Sequence, residues 1–364
     1  MLYDRRDFGL MRLAGAYQWL PLAPLRTMAP LKLLRQEVEI LSTLGLLTFS
    51  RSGEYLMPSP KVHQFLNLFD PEYRPPTKRP YAQSPALRRR LNVGKILFVC
   101  LAAGIEPAFD KVERLKRQPV FFPAFALRGR DGNLLNAAGC AGFGHWGGVA
   151  YMLLYVSESS PGFYMNNELS HLHNLASVFS ERLDTPQALL LAGESYRSIY
   201  EVLSSKEPSS RHGKKGFSDY AQAYPRLSIP ACLLSCDDTG AVQLQIMSVP
   251  DYRKKLTQAA LKSQYQPPPK DVPAWDALFQ GLPFVIAADM DLRRVDAAIR
   301  AAHEHGMKQI AVAALRGQAE TVLFSHYRDT GLARVFVLTD EAISEVTGRP
   351  PVPYAPPRTQ FMTP

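Results

Sequence analysis

The chain is poor in cysteine: 364 residues hold only four, Cys100, Cys140, Cys232 and Cys236. So few thiols over this length do not make a disulfide scaffold, and a cytoplasmic location is expected. Cys232 and Cys236 lie four apart, with no second pair, so a structural zinc site is not expected either. No run of about 18 uncharged apolar residues occurs, and the opening Met1-Leu-Tyr-Asp-Arg-Arg has no apolar segment. A membrane span and a secretory signal are therefore not expected. No internal repeat is visible. The glycine-rich run at Gly139, Gly142, Gly144, Gly147 and Gly148 lacks a closing Gly-Lys-Ser/Thr, so it reads as a flexible turn or lid rather than a phosphate cradle. Apolar material is ample at 46%, enough for a sizeable core, and the length allows two or three domains.

Charge is unevenly placed. Of the net +9, residues 1–95 carry 15 Lys and Arg against 7 Asp and Glu, whereas the remaining 269 carry 27 against 26. A basic head on a neutral body fits a polyanion partner, and nucleic acid is the usual one. The plainer alternative is a soluble chain with one basic linker.

Proline marks the joints. Residues 70–84, with Pro71, Pro75, Pro76 and Pro80, read as a Pro-rich linker between a unit at 1–69 and an α/β domain at 85–347. The polar stretch 204–226 reads as a mobile loop inside that domain, and 348–364 as a Pro-rich tail. In the first unit apolar residues recur at helical spacing, at Leu10, Met11 and Leu13, then around Leu22–Met28. Leu31, Leu34, Val38, Leu41 and Leu44 give a third helix stopping at Gly45. Two β-prone runs flank Arg51-Ser52-Gly53, and Val62 to Phe69 closes the unit with a helix.

Beyond the linker, Ser84 caps a helix over about 85–103, although Ile96–Leu101 alone would also suit a strand. Strands are expected at Val120–Leu127, Val149–Val156, Ala188–Ala192, Phe284–Ala288, Ile310–Ala314 and Val335–Leu338. Helices are expected at Asn166–Leu183, Ser195–Leu203, Leu292–Glu304 and Gln318–Tyr327, with a hairpin pairing Cys232–Ser235 to Val242–Met247. The alternation implies an α/β fold with a mixed, partly parallel sheet.

Helix, helix, longer helix and hairpin is the order of a winged helix-turn-helix. Off the apolar stripe of the third helix stand Lys32, Arg35 and Gln36, and Arg51 is at the hairpin tip. A recognition helix inserts its N-terminal residues into the major groove while a wing touches phosphates, so these four are the candidate contacts to double-stranded DNA. Lys78, Arg79, Arg88, Arg89 and Arg90 would extend the footprint, unless the arginine run is only a solvated helix face. Glu37 and Glu39 fit a protein-binding use of the same helix, and a homodimer is a further alternative.

Asp-Arg-Arg-Asp-Phe at residues 4–8, Leu-Met-Arg-Leu at 10–13, Tyr-Gln-Trp-Leu at 17–20, Leu-Gly-Leu-Leu at 44–47 and Arg-Arg-Leu-Asn-Val at 89–93 together resemble the replication-relaxation family of plasmids and integrative elements. The resemblance covers mainly residues 5–105. It implies a role in plasmid replication or in DNA relaxation and transfer, beside a relaxase or replication protein. It also implies a degenerate restriction-endonuclease-like fold behind the winged helix. On the strand where that fold would carry its acids, Tyr151 to Ser159 offers only Glu158, and no Glu-x-Lys follows.

An enzymatic alternative rests on Glu194, Asp289 and Asp291, each following an expected strand. Carboxylates so placed can hold Mg²⁺ for a nuclease or nicking step. The rival is that Asp291 caps the next helix. His171 and His173 diverge on a helix and, with His145, are read as surface residues rather than ligands. No Ser/His/Asp order is recognisable. No cofactor is expected outside the Mg²⁺ alternative, and a ligand-sensing transcriptional regulator is the third reading.

Overall fold

A computed structural model describes residues 5–69, 73, 84–108, 118–127, 140–157, 165–179, 185–205 and 220–350. Most of the expected linker, with Lys78 and Arg79, the loop core at 206–219 and the tail from 351 lie outside the described residues. Among the described residues no helix is long and apolar enough to cross a membrane.

The N-terminal elements are α1 (Arg5–Tyr17), β1 (Leu20–Pro21), α2 (Leu22–Thr27), α3 (Lys32–Thr43), β2 (Leu47–Phe49), β3 (Tyr55–Pro58) and α4 (Pro60–Phe69). The expected order of three helices and a hairpin is present, and β1 joins it in a small antiparallel sheet of order β1-β3-β2. Helix α3 buries Val38 and Leu41 and ends at Gly45, whose φ of +67° is the left-handed conformation glycine tolerates. The hairpin tip is closed by Ser50, whose Oγ accepts from the backbone N–H of Glu54 at 3.1 Å and of Tyr55 at 3.2 Å.

Helix α5 (Pro85–Ala102) begins at Ser84, whose hydroxyl oxygen accepts from Leu87 N–H at 3.2 Å, so the helical alternative for Ile96–Leu101 is the one realised. The body then runs β4 (Glu106–Pro107), β5 (Val120–Pro123), α6 (Ala124–Leu127), β6 (Cys140–Trp146), β7 (Val149–Tyr155), α7 (Met165–Phe179), β8 (Gln187–Gly193), α8 (Tyr196–Ser204), α9 (Tyr220–Ala223) and β9 (Ala231–Ser235). There follow α10 (Asp238–Met247), α11 (Tyr252–Leu261), β10 (Ala277–Phe279), β11 (Leu282–Ile286), α12 (Leu292–Glu304), β12 (Ile310–Ala314), α13 (Arg316–Gln318, continued as a π-helix over Ala319–Arg328), β13 (Ala333–Val337) and α14 (Asp340–Thr347).

The fold is α/β with mixed sheets. One has the order β4-β5-β6-β7-β8-β9, antiparallel through β5, β6 and β7 and parallel from β7 to β9. The other, β10-β11-β12-β13, is parallel from β11 onward. Period-2 alternation divides each central strand between two cores. Tyr151, Leu153 and Leu190 join α5 and the N-terminal helices in one apolar cluster. Met152, Leu154, Leu189 and Leu191 face the opposite cluster, shared with the second sheet.

Three expectations need correction. The strand expected at Val120–Leu127 ends at Pro123 and gives way to α6, since proline cannot donate to a continuing ladder. The hairpin expected at Cys232–Met247 is instead strand β9 and helix α10. Asp237 caps that helix, its carboxylate accepting from Gly240 N–H at 3.0 Å, and a capped helix overrides the β-prone Val242–Met247. The helix expected over Asn166–Leu183, by contrast, is present over Met165–Phe179, and its expected end at 180–183 lies outside the described residues. The glycine-rich run holds the expected turn at Gly147-Gly148, at φ +57° and +78°, but its described part is otherwise no lid, since Cys140–Trp146 is a buried strand; Gly139 lies outside the described residues. Its glycines are there for close approach. A Cβ on Gly142 would sit 2.5 Å from both the Phe121 ring and the Phe122 carbonyl oxygen, and one on Gly144 would overlap the Trp146 indole.

Because the Phe122 carbonyl is backbone and cannot swing away, Gly142→Ala should destabilise the protein by about 1–3 kcal/mol. The measurement is the urea midpoint; an unchanged midpoint would show that β5 and β6 are not this close.

Candidate nucleic-acid interface

The sequence-predicted cations separate into two groups. Arg35 leaves the top of α3 and turns inward, its guanidinium donating to the Arg26 carbonyl at 2.9 Å, where it closes the C-terminal end of α2. Arg90 is spent on packing. It donates to the Tyr17 carbonyl at 3.3 Å and lies over the Trp19 and Phe125 rings at 5.2 and 5.9 Å, while the Tyr17 hydroxyl donates to the Arg90 carbonyl. Lys32, Gln36, Arg51, Arg88 and Arg89 are exposed. On α3 they share the surface with Leu33 and Ile40, which are 63% and 59% exposed.

Two of the exposed cations meet at a groove of about 1120 Å³ between the β2–β3 hairpin and α5. Arg51 of the hairpin tip and Arg88 of α5 line it, together with two residues not singled out in the sequence, Arg26 and Lys95. Lys95 was legible in principle: Arg88, Asn92 and Lys95 are spaced four and three, one face of a helix. Arg26 had no signal beyond its sign. Lys32 and Gln36 do not line the groove. The N-terminal unit is fixed to the body beside it, where the Asp238 carboxylate accepts from Ala29 N–H at 3.1 and 3.3 Å.

The candidate carboxylates do not share a centre. Glu194, after β8, is ion-paired to Lys95 and accepts from the Tyr155 hydroxyl at 2.9 Å. Asp289, fully buried after β11, takes the Tyr252 hydroxyl at 2.6 Å and the Arg253 guanidinium at 2.6 and 2.7 Å on one oxygen, and Asp291 N–H at 3.1 Å on the other. Burial would raise its carboxyl, but Arg253 and Arg294 outweigh burial and hold it at about 2. Among the described residues no three His, Cys, Asp or Glu side chains are grouped to hold a metal. His145 is buried in β6 against Gln118, at 2.9 Å, rather than at the surface; His173 is exposed and meets Gln187 at 3.2 Å. Cys232 and Cys236 are free thiols.

No family model, no curated protein and no solved structure matches this chain. The site therefore stands on its own chemistry. Sequence reasoning missed α11, whose Tyr252 and Arg253 neutralise Asp289; the charged run Tyr-Arg-Lys-Lys gave no hint that one of its members turns inward.

The expected cap is also corrected. Asp291 occupies the N-cap position of α12 but makes no capping hydrogen bond, and its Oδ1 is buried without a partner. Burial, then the Asp289 carboxylate, raise its pKa from an ordinary 3.8 to about 6. A carboxyl raised on folding stabilises below pH 3.8 and loses that contribution as pH rises through 6. Asp291→Asn should thus match wild-type stability near pH 4 and exceed it by about 3 kcal/mol near pH 7. Urea unfolding across that range is the check. A difference independent of pH would remove Asp291 as its source.

Proposed function

We propose that this protein is a non-catalytic DNA-binding accessory or regulatory factor, cytoplasmic, belonging to a plasmid or mobile element. Its winged helix-turn-helix would dock on double-stranded DNA, and its α/β body would engage a relaxase or replication protein, or a second copy of the chain. The mobile-element role rests on the resemblance of residues 5–105 to the replication-relaxation family. DNA binding rests on one observation: Arg26, Arg51, Arg88 and Lys95, drawn from three separate elements, line a single groove.

Cations gathered from unconnected elements favour a phosphate backbone, since like charges repel unless a polyanion neutralises them. Arg51 and Arg88 are exposed and free to make bidentate contacts to phosphate oxygens. Lys32 and Gln36 reach outward from the start of α3 and are the residues that would meet base edges. Glu194 competes with any ligand for Lys95. The reading assigns no chemical step, because Asp289 is neutralised by Arg253 and Glu194 is held by Lys95 and Tyr155.

A gel-shift titration with DNA at several salt concentrations tests the assignment, with Mg²⁺ present and absent. Arg51→Ala and Arg88→Ala should each weaken binding and reduce the salt slope by about 1, whereas Glu194→Gln, which releases Lys95, should tighten binding and steepen the slope by about 1. Unaltered binding in all three variants would sink the groove assignment, and Mg²⁺-dependent nicking would overturn the non-catalytic reading.

A further inference from the structure

The groove is not uniformly polar. Arg26, Arg51 and Arg88 stand exposed at its edges and Lys95 is half-buried, while Pro21 and Leu87 are buried and Tyr55, Met57 and Leu91 half-buried within it. It therefore has cationic rims over an apolar, partly aromatic floor. On the α5 side the two kinds of residue alternate along one helix face, Leu87 and Leu91 beside Arg88, Asn92 and Lys95. Arg88 and Lys95 are seven residues apart, about 10 Å along the helix axis.

We infer that this groove takes an unpaired nucleic-acid strand, its phosphates on the rims and its bases against Tyr55, Met57 and Leu91. The inference rests on the DNA-binding reading and narrows it to the form of the ligand. In a duplex the base faces are stacked on one another and only phosphates and groove edges are accessible, so an apolar floor between cations gains nothing from it. An unpaired strand exposes base faces that can leave water against apolar and aromatic side chains, and binding of that kind is tolerant of sequence. The acid among the lining residues, Glu54, accepts from the Ser52 hydroxyl at 3.3 Å within the hairpin. An acidic peptide would satisfy the cations but has no flat faces for the floor.

Fluorescence anisotropy on the full chain would compare labelled oligothymidylate of about 15 nucleotides with a blunt duplex of equal length, at equal salt. Oligothymidylate should bind more tightly, and Tyr55→Ala and Leu91→Asn should each lower its affinity at least about fivefold while changing duplex binding less than about twofold. Photocrosslinking of a bromouridine-containing strand to the wild-type protein supplies a readout independent of any variant's folding; crosslinks should fall within 50–57 or 87–95. Tighter duplex binding with silent floor variants, or crosslinks elsewhere, would overturn the inference and leave the DNA-binding reading standing. Binding to neither DNA would overturn both. Displacement by oligoglutamate more readily than by oligothymidylate would assign the groove to an acidic peptide.

Discussion

Enclosure of the C-terminal half of α5 on every side is the constraint from which the remaining architecture follows. Ile96, Leu97, Phe98, Val99 and Cys100 are consecutive and all fully buried, a pattern that a helix can show only when apolar elements cover its whole circumference. The N-terminal unit covers part of it through β1 and α2, and the six-stranded sheet with α10 covers the rest. Gly94 permits that approach, since a Cβ there would stand 2.5 Å from the Pro21 ring. The Tyr17–Arg90 exchange fixes the same contact with polar groups, and burial lowers the Arg90 pKa as the cost of placing a guanidinium there. Removing α5 would expose the sheet face and the inner face of α1 together. It also sets the groove, because Arg88, Asn92 and Lys95, α5 residues left outside the core, line it opposite the hairpin.

The second sheet shows a different use of charge. Asp289 is buried and pairs with a half-buried Arg253, and the remaining capacity of the carboxylate is taken up by Tyr252 and the Asp291 backbone. Such a pair costs little when complete and several kcal/mol when one member is removed. Arg293 and Arg294 serve the same end, donating to the Leu227 and Ile229 carbonyls and pairing with Asp276 at 2.9 Å. A carboxylate after a strand is thus a locking device here, and its resemblance in sequence to a metal ligand is a consequence of topology: both uses require an acid where a strand leaves the sheet.

Elements with a clear period were legible. The α3 stripe, the hairpin around Gly53, the cap at Ser84 and the alternation from Phe284 to Leu338 all emerge from spacing and turn chemistry, because each reports a local preference that the tertiary structure did not override. What was not legible depended on partners far along the chain. Gly142 and Gly144 read as flexibility, yet they are the small residues of a buried strand, which is visible only once Phe121 and Trp146 are known to cross them. Val242–Met247 satisfies strand and buried helix equally, and the deciding feature, Asp237, is a single capping residue. At the candidate site the sign of the charge was legible and its disposition was not, since neither Arg26 nor Lys95 adjoins Arg51 in sequence.

The positive balance of the first quarter of the chain must therefore be discounted before it is used. Arg35 satisfies a helix end and Arg90 packs against aromatic rings; Lys95 is already paired with Glu194. A guanidinium held by two carbonyls or by ring faces keeps its charge but loses the donors that would grip a phosphate. Cations whose hydrogens still point to water can exchange that water for ligand oxygens, and the exposed ones include Arg26, Arg51 and Arg88 at the groove and Lys32 and Arg89 away from its lining. Their placement on separate elements, rather than the net charge, is what the structure adds to a count of basic residues: Arg51 and Arg88 stand out in the sequence and line the groove, and Arg26 and Lys95 join them only through the fold.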